Sequence, residues 1–147
     1  MSGNKNMKKL ILMGRSGAGK TTLIQALTGA EIEYRKTQGV EYDGFLIDTP
    51  GEYAENATLG RALALYTYEA DVVGLLLSAT EDYSLYPPCV TSQCNREVIG
   101  IVTQIDRDGA NPDRAENWLR LAGCKTVFRV NSKKKEGIDQ IIKHISK

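Results

Sequence analysis

The apolar positions of this chain fall into short continuous runs separated by stretches of helical spacing, and the two patterns alternate. Lys9-Leu10-Ile11-Leu12-Met13, Val72-Val73-Gly74-Leu75-Leu76-Leu77 and Val98-Ile99-Gly100-Ile101-Val102 are apolar runs of strand length. A strand without polar alternation is covered on both faces, so these read as inner strands of a parallel sheet, with Asp71 to Ser78 the central one. Thr22 to Leu27 carries apolar residues at helical spacing, and Arg61 to Tyr68 has helical composition. Asp113 to Ala122 is an amphipathic helix opened by Asn111-Pro112 and closed by Gly123; Val127 to Val130 is a further strand and Gly137 to Ile145 a last helix. Ile32 to Thr37 is polar and without period, and reads as a loop. Val40-Glu41-Tyr42 and Phe45-Leu46-Ile47 flank Asp43-Gly44, a hairpin signal that sets these two runs antiparallel to each other. The pattern predicts an α/β fold in three α/β/α layers, with about five helices and a six-stranded, mostly parallel sheet carrying one antiparallel edge strand. Ala79 to Arg96 is the least regular part. Pro87-Pro88 bars a helix through its middle, so it reads as a long loop or broken helix, in which Tyr83, Leu85, Tyr86 and Cys89 are core or surface residues alike.

With 147 residues the chain is one domain, expected over residues 7–147, that can bury about two-thirds of its unfolded surface in one core. Met1 to Asn6 is polar and precedes a second methionine, Met7, so residues 1–6 read as a tag remnant or disordered tail. Lys and Arg number 19 against 18 Asp and Glu, a formal charge of +1, without the basic excess of a general nucleic-acid binder. No apolar run approaches the roughly 18 residues of a spanning helix. No membrane partner and a cytoplasmic location are therefore expected. Cys89, Cys94 and Cys124 form no C-x-x-C pair, which suits reduced thiols. With His144 the only histidine, a zinc site is not expected.

The chemistry is concentrated at residues 14 to 21, Gly-Arg-Ser-Gly-Ala-Gly-Lys-Thr, a complete G-x-x-x-x-G-K-[ST] pattern between an apolar strand and a helix. Glycines in such a loop let successive N–H groups turn inward onto the α- and β-phosphates of a nucleotide, and the helix that follows adds its positive N-terminus. Gly14, Arg15, Ser16, Gly17, Ala18, Gly19, Lys20, Thr21 and Thr22 are the expected phosphate-binding residues. Lys20 reaches the β/γ-phosphates, with a catalytic role, and the Thr21 hydroxyl ligates Mg²⁺.

Three further elements follow in order. Asp48-Thr49-Pro50-Gly51 stands 28 residues beyond Lys20 at a strand end. There the aspartate can hold Mg²⁺ through a water, and the Gly51 N–H can approach the γ-phosphate. Thr37 is a candidate third Mg²⁺ ligand or an ordinary loop threonine. Thr103-Gln104-Ile105-Asp106 follows the Val98 to Val102 strand, where guanine-specific proteins carry N-K-x-D. A carboxylate there accepts two hydrogen bonds from guanine and would stay unpaired against adenine. Thr103 and Gln104 replace the asparagine and lysine, so Asp106 reads either as a base-binding residue or as a helix-start aspartate. Asn131 and Ser132 follow the next strand, placed to offer a backbone N–H to the base; the Lys133-Lys134-Lys135 run reads as a solvated turn. Thr103, Gln104, Asp106, Asn131 and Ser132 are thus the candidate base-binding set. Glu52, directly after the D-x-x-G pattern, is a candidate general base or a solvent-facing residue. A carboxylate cannot donate to the attacking water as well as accept from it, so hydrolysis is expected to be slow. Arg15 and Arg35 could supply positive charge near the γ-phosphate, but loop arginines are usually solvated and neither is taken as an arginine finger.

These elements together resemble the Ras-like P-loop GTPase superfamily over nearly the whole chain. The strings Arg35-Lys36-Thr37-Gln38-Gly39-Val40-Glu41 and Asp48-Thr49-Pro50-Gly51-Glu52-Tyr53, with the phosphate loop, are similar to the EutP/PduV family of ethanolamine- and propanediol-utilisation proteins. That resemblance implies a small cytosolic protein of microcompartment-associated catabolism that takes Mg²⁺ and GTP or ATP. Its partners would be the nucleoside triphosphate and shell or enzyme proteins. Some members are described as ATP-binding, with acetate-kinase activity. Three functions stand open: a slowly hydrolysing nucleotide binder, an ATP-dependent kinase of a small carboxylate, and a nucleotide-stabilised partner-binding module. Under all three, Lys20→Ala is expected to abolish triphosphate binding in a calorimetric titration; micromolar affinity in the variant would remove the phosphate-loop assignment.

Overall fold

The computed structural model describes residues 8–14, 19–38, 46–47, 70–82, 86, 89–93 and 96–145. β1 (Leu10–Met13) is four residues long and wholly buried. It lies between β2 (Leu46–Ile47) and β3 (Val72–Ser78), with Leu10 opposite both Leu46 and Val72. β4 (Glu97–Thr103) and β5 (Thr126–Arg129) extend the sheet beyond β3. The order is β2-β1-β3-β4-β5, and every pair is parallel.

Strand parity sorts the core into two layers, as period-two side chains require. Ile11 and Met13, with Val73, Leu75, Leu77 and Val102, pack against Ala115, Leu119 and Ala122 of α2 (Pro112–Ala122). Leu10 and Leu12, with Val72, Leu76, Ile99 and Ile101, pack on the other side against two helices. These are α1 (Lys20–Gln38), through Leu23 and Leu27, and α3 (Ile138–Ile145), through Ile138, Ile141, Ile142 and Ile145. Helices on both faces make the three layers that the continuous apolar runs imply.

α2 begins and ends at the residues its sequence marks. The Asn111 side chain accepts from the Arg114 N–H at 3.1 Å, Pro112 occupies the first turn where its missing N–H costs nothing, and Gly123 closes the helix at φ 117°. Of the irregular stretch, Val90–Gln93 forms a short 3-10 turn. Tyr86 is buried and Cys89 exposed. Cys124 is a buried free thiol whose pKa burial pushes up to about 12. No described helix is long and apolar enough to cross a membrane.

Two expectations change. Ile32 to Thr37 is not a loop: α1 runs through it to Gln38. Ala30, Glu31, Glu33, Arg35, Lys36 and Gln38 are strong helix formers, and a missing apolar period removes the signal of burial without removing that propensity. The described sheet has five strands rather than six. The expected Val40 to Tyr42 strand, with the antiparallel edge it would form, lies outside the described residues, as do the Arg61 to Tyr68 helix and residues 1–6.

The edge strand β5 is tied to α2 by charge. Arg129 donates to Asp113 at 2.6 Å and to Glu116 at 2.9 Å, and Glu116 also accepts from Arg120 at 2.9 Å. The Arg120 hydrogen bond, helped by Arg129, holds the Glu116 carboxyl below its ordinary value of 4.5. A carboxylate with a lowered folded pKa stabilises the fold above the unfolded value and loses that contribution as pH falls through the folded one. Glu116→Gln is therefore expected to cost on the order of 1 kcal/mol at neutral pH. The difference from the unsubstituted protein should shrink steadily in thermal melts taken below about pH 4.5; a pH-independent difference would refute this.

Candidate functional site

In a parallel sheet the carboxyl ends of all strands share one edge, and ligands bind there where the strand order reverses. In this sheet the reversal lies between β1 and β3: the chain leaves β1 for β2 on one side and returns to β3 on the other. Gly14 ends β1 at that point. A β-carbon on Gly14 would stand 2.9 Å from Leu76 Cβ, so only glycine lets the chain leave the sheet this close to β3. Gly19, at φ 83°, is the last residue before α1, and its carbonyl accepts the Leu23 N–H at 2.9 Å. A side chain there would be strained by the left-handed backbone and would meet Gln104 Nε2 at 3.5 Å.

Gly19 and Thr22 face the loops after β4 and β5 across an open cleft of about 170 Å³. Thr103, Gln104, Asp106, Arg107, Asn131, Ser132 and Lys133 complete its wall. The β4 end is rigidly built. Thr103 is buried and its carbonyl accepts the Ala79 N–H at 2.9 Å. Gln104 holds a left-handed backbone, φ 57°, that non-glycine residues seldom adopt, and its side-chain oxygen accepts from the Ser78 hydroxyl at 2.5 Å. The Arg107 N–H returns to the Gln104 carbonyl at 3.3 Å and closes the turn that exposes Asp106. Beyond β5, the buried Asn131 exchanges two backbone hydrogen bonds of 3.0 Å with Glu136. Its side chain accepts the Lys134 N–H, fixing a turn that sets Ser132 and Lys133 on the cleft wall.

All five candidate base-binding residues thus meet in one cleft with Gly19 and Thr22. Lys20 and Thr21 open α1 beside it, half-buried and exposed respectively. Arg15, Ser16, Gly17, Ala18, Asp48, Gly51 and Glu52 lie outside the described residues. Thr37 stands sixteen positions along α1 from Thr21, about 24 Å at 1.5 Å per residue. Arg107 and Lys133 are cleft residues that motif reading passes over. Both adjoin motif residues but resemble solvated surface cations, and only the fold shows which side of the turn they occupy.

Comparison with known proteins agrees with this geometry. A model of the PduV-EutP family, described as ethanolamine utilisation - propanediol utilisation, matches residues 7–147. The chain is 41% identical over 138 residues to "Propanediol utilization protein PduV" of Citrobacter freundii, covering 92% of this chain and 91% of that one. It is 29% identical over 143 residues to "Probable acetate kinase EutP" of Escherichia coli K12, covering 95% and 90%. In fold it is similar to the translation elongation factor SelB of Methanococcus maripaludis in complex with the GTP analogue GppNHp. That likeness has a TM-score of 0.64 at 21% identity and covers 95% of this chain but 33% of that one.

The two glycines make opposite demands from a third. Gly14→Ala is expected to destabilise by about 1–3 kcal/mol, because the obstructing atom is a β-carbon that cannot swing aside. Gly29→Ala, in α1 with open space around it, should instead stabilise by about 0.5–1 kcal/mol. Denaturant unfolding of the pair decides it; similar effects from both would refute the close approach at Gly14.

Proposed function

Because the chain belongs to the PduV-EutP family of ethanolamine and propanediol utilisation proteins, we propose that it binds a nucleoside triphosphate with Mg²⁺ and hydrolyses it slowly in that catabolism. The observation that carries this reading is the cleft itself. Residues chosen from three separate sequence elements, Gly19 and Thr22, Thr103 to Asp106, and Asn131 with Ser132, line one cavity at the reversal point of a parallel sheet.

The phosphates would lie at the start of α1, where unpaired N–H groups and the Lys20 ammonium favour anions. Gly14 and Gly19 keep that end free of side chains, and the Thr21 hydroxyl on the first helical turn is a hard oxygen donor suited to Mg²⁺. Among the described residues no group of three or more His, Cys, Asp or Glu side chains could hold a metal by itself, which fits a cation carried chiefly by phosphate oxygens. The ion would supply charge neutralisation at the phosphoryl group. The base would lie against the turn after β4. The exposed Asp106 carboxylate suits the two N–H donors of guanine, and the Ser132 turn the base oxygen. Thr103 and Gln104, engaged in holding the turn, position that carboxylate. Glu52 in place of a water-positioning glutamine supports slow turnover. Phosphoryl transfer to acetate is the second reading, favoured by the relatives named as probable acetate kinases.

Calorimetric titration of nucleotide-free protein with Mg²⁺ and GTP or ATP analogues tests the proposal. Binding of GTP in preference to ATP, lost in Asp106→Asn with a shift toward xanthine nucleotides, is expected for a base reader. Equal affinity, or ATP preference with acetate-stimulated release of ADP, would replace the GTP reading with the kinase. Binding of neither would overturn both.

A further inference from the structure

Tyr86 is isolated in sequence from every motif, yet its hydroxyl is buried at the end of β1. It lies 2.7 Å from the Leu76 carbonyl and 3.1 Å from the Met13 carbonyl, and its one proton is shared between them. The β1–β3 ladder ends with Met13 opposite Leu75. One residue further on, Gly14 stands against Leu76 and the chain leaves the sheet. Both carbonyls lie where the β1–β3 ladder ends, and a buried carbonyl gains from each donor that reaches it. Tyr86 supplies the donor from a ring held in the core layer that contains Met13 and Leu77. Burial, with the nearby Cys124 and Glu81, pushes its phenol far above the ordinary range, so it stays a donor throughout working pH.

We propose that Tyr86 is the positioning residue of the phosphate loop: by clamping the last carbonyl of β1 to β3, it fixes where the chain enters the loop at Gly14. The inference rests on the nucleotide reading above and adds to it a residue outside the G-x-x-x-x-G-K-[ST] pattern. A motif residue contacts phosphate; Tyr86 instead holds the strand end that aims the motif. Its removal should therefore weaken phosphate binding while leaving recognition of the base unchanged.

The test compares Tyr86→Phe with Leu119→Ala, a variant expected to be destabilised by a cavity in the same core layer but remote from the cleft. Affinities are measured by calorimetry for GTP and ATP analogues with Mg²⁺, and by competition for the corresponding monophosphates, which carry base and ribose alone beyond the α-phosphate. Tyr86→Phe is expected to lose roughly tenfold in triphosphate affinity, the equivalent of one hydrogen bond, with a smaller loss for the monophosphates, which meet the loop through the α-phosphate alone. Leu119→Ala should melt at least as early as Tyr86→Phe and bind triphosphate like the unsubstituted protein. Triphosphate affinity of Tyr86→Phe within twofold of the unsubstituted protein, an equal loss for monophosphates, or the same loss in Leu119→Ala would each overturn the inference. Failure of the unsubstituted protein to bind any triphosphate would instead remove the nucleotide reading, and this inference with it.

Discussion

The requirement that both faces of one sheet be dry governs this molecule. β1 carries no polar position and β3 only Ser78 at its end, and both are buried throughout, so each face has to be covered by helix. The crossovers through α1 before β2 and through α2 before β5 return the chain to the same edge, and with every strand pair parallel the carboxyl ends gather together. The loops after β1, β4 and β5 converge for that reason, although more than a hundred residues separate Gly14 from Asn131. The cleft is a consequence of how the core is buried.

The two edges of the sheet are finished differently. At the amino edge, β1 and β3 are latched through Lys9 and Asp71: the Asp71 carboxylate accepts the Lys9 N–H at 2.9 Å, and the Asp71 N–H returns to the Lys9 carbonyl at 2.8 Å. At the carboxyl edge the turns use left-handed backbone. Gly19, Gln104, Lys135 and Gly137 all have positive φ. Gln104 bears the strain of a non-glycine residue there and is held by Ser78, whose hydroxyl also pairs with Thr80 at 2.7 Å. A non-glycine residue held in that conformation on the cleft wall is the kind of strain that gathers where ligand groups are presented.

Where local chemistry decided the outcome, the sequence was legible. Asn111-Pro112 and Gly123 bound α2 because a cap and a left-handed closure act within one turn. The buried strands were legible because a run with no polar residue has few alternatives. The C-terminal half of α1 was not, since its sequence carries no apolar period and its evidence is propensity alone. The candidate base residues could be located by their offsets from strand ends, but Arg107, Lys133 and Tyr86 could not. Their roles depend on which way a turn faces or on a contact between Tyr86 and Met13, 73 positions apart, and neither leaves a local pattern.

One contact at the amino edge has a practical bearing. The Lys8 N–H donates to the Ile145 carbonyl at 2.8 Å, so the approach to the first strand and the end of the last described helix are stitched together. That seam lies across the full length of β1 from the cleft. Attachments borne at either end of this domain therefore share one pole and leave the opposite pole open. A tether, an assembly contact or an artificial rejoining of the two ends could occupy that seam while ligand enters and departs on the other side.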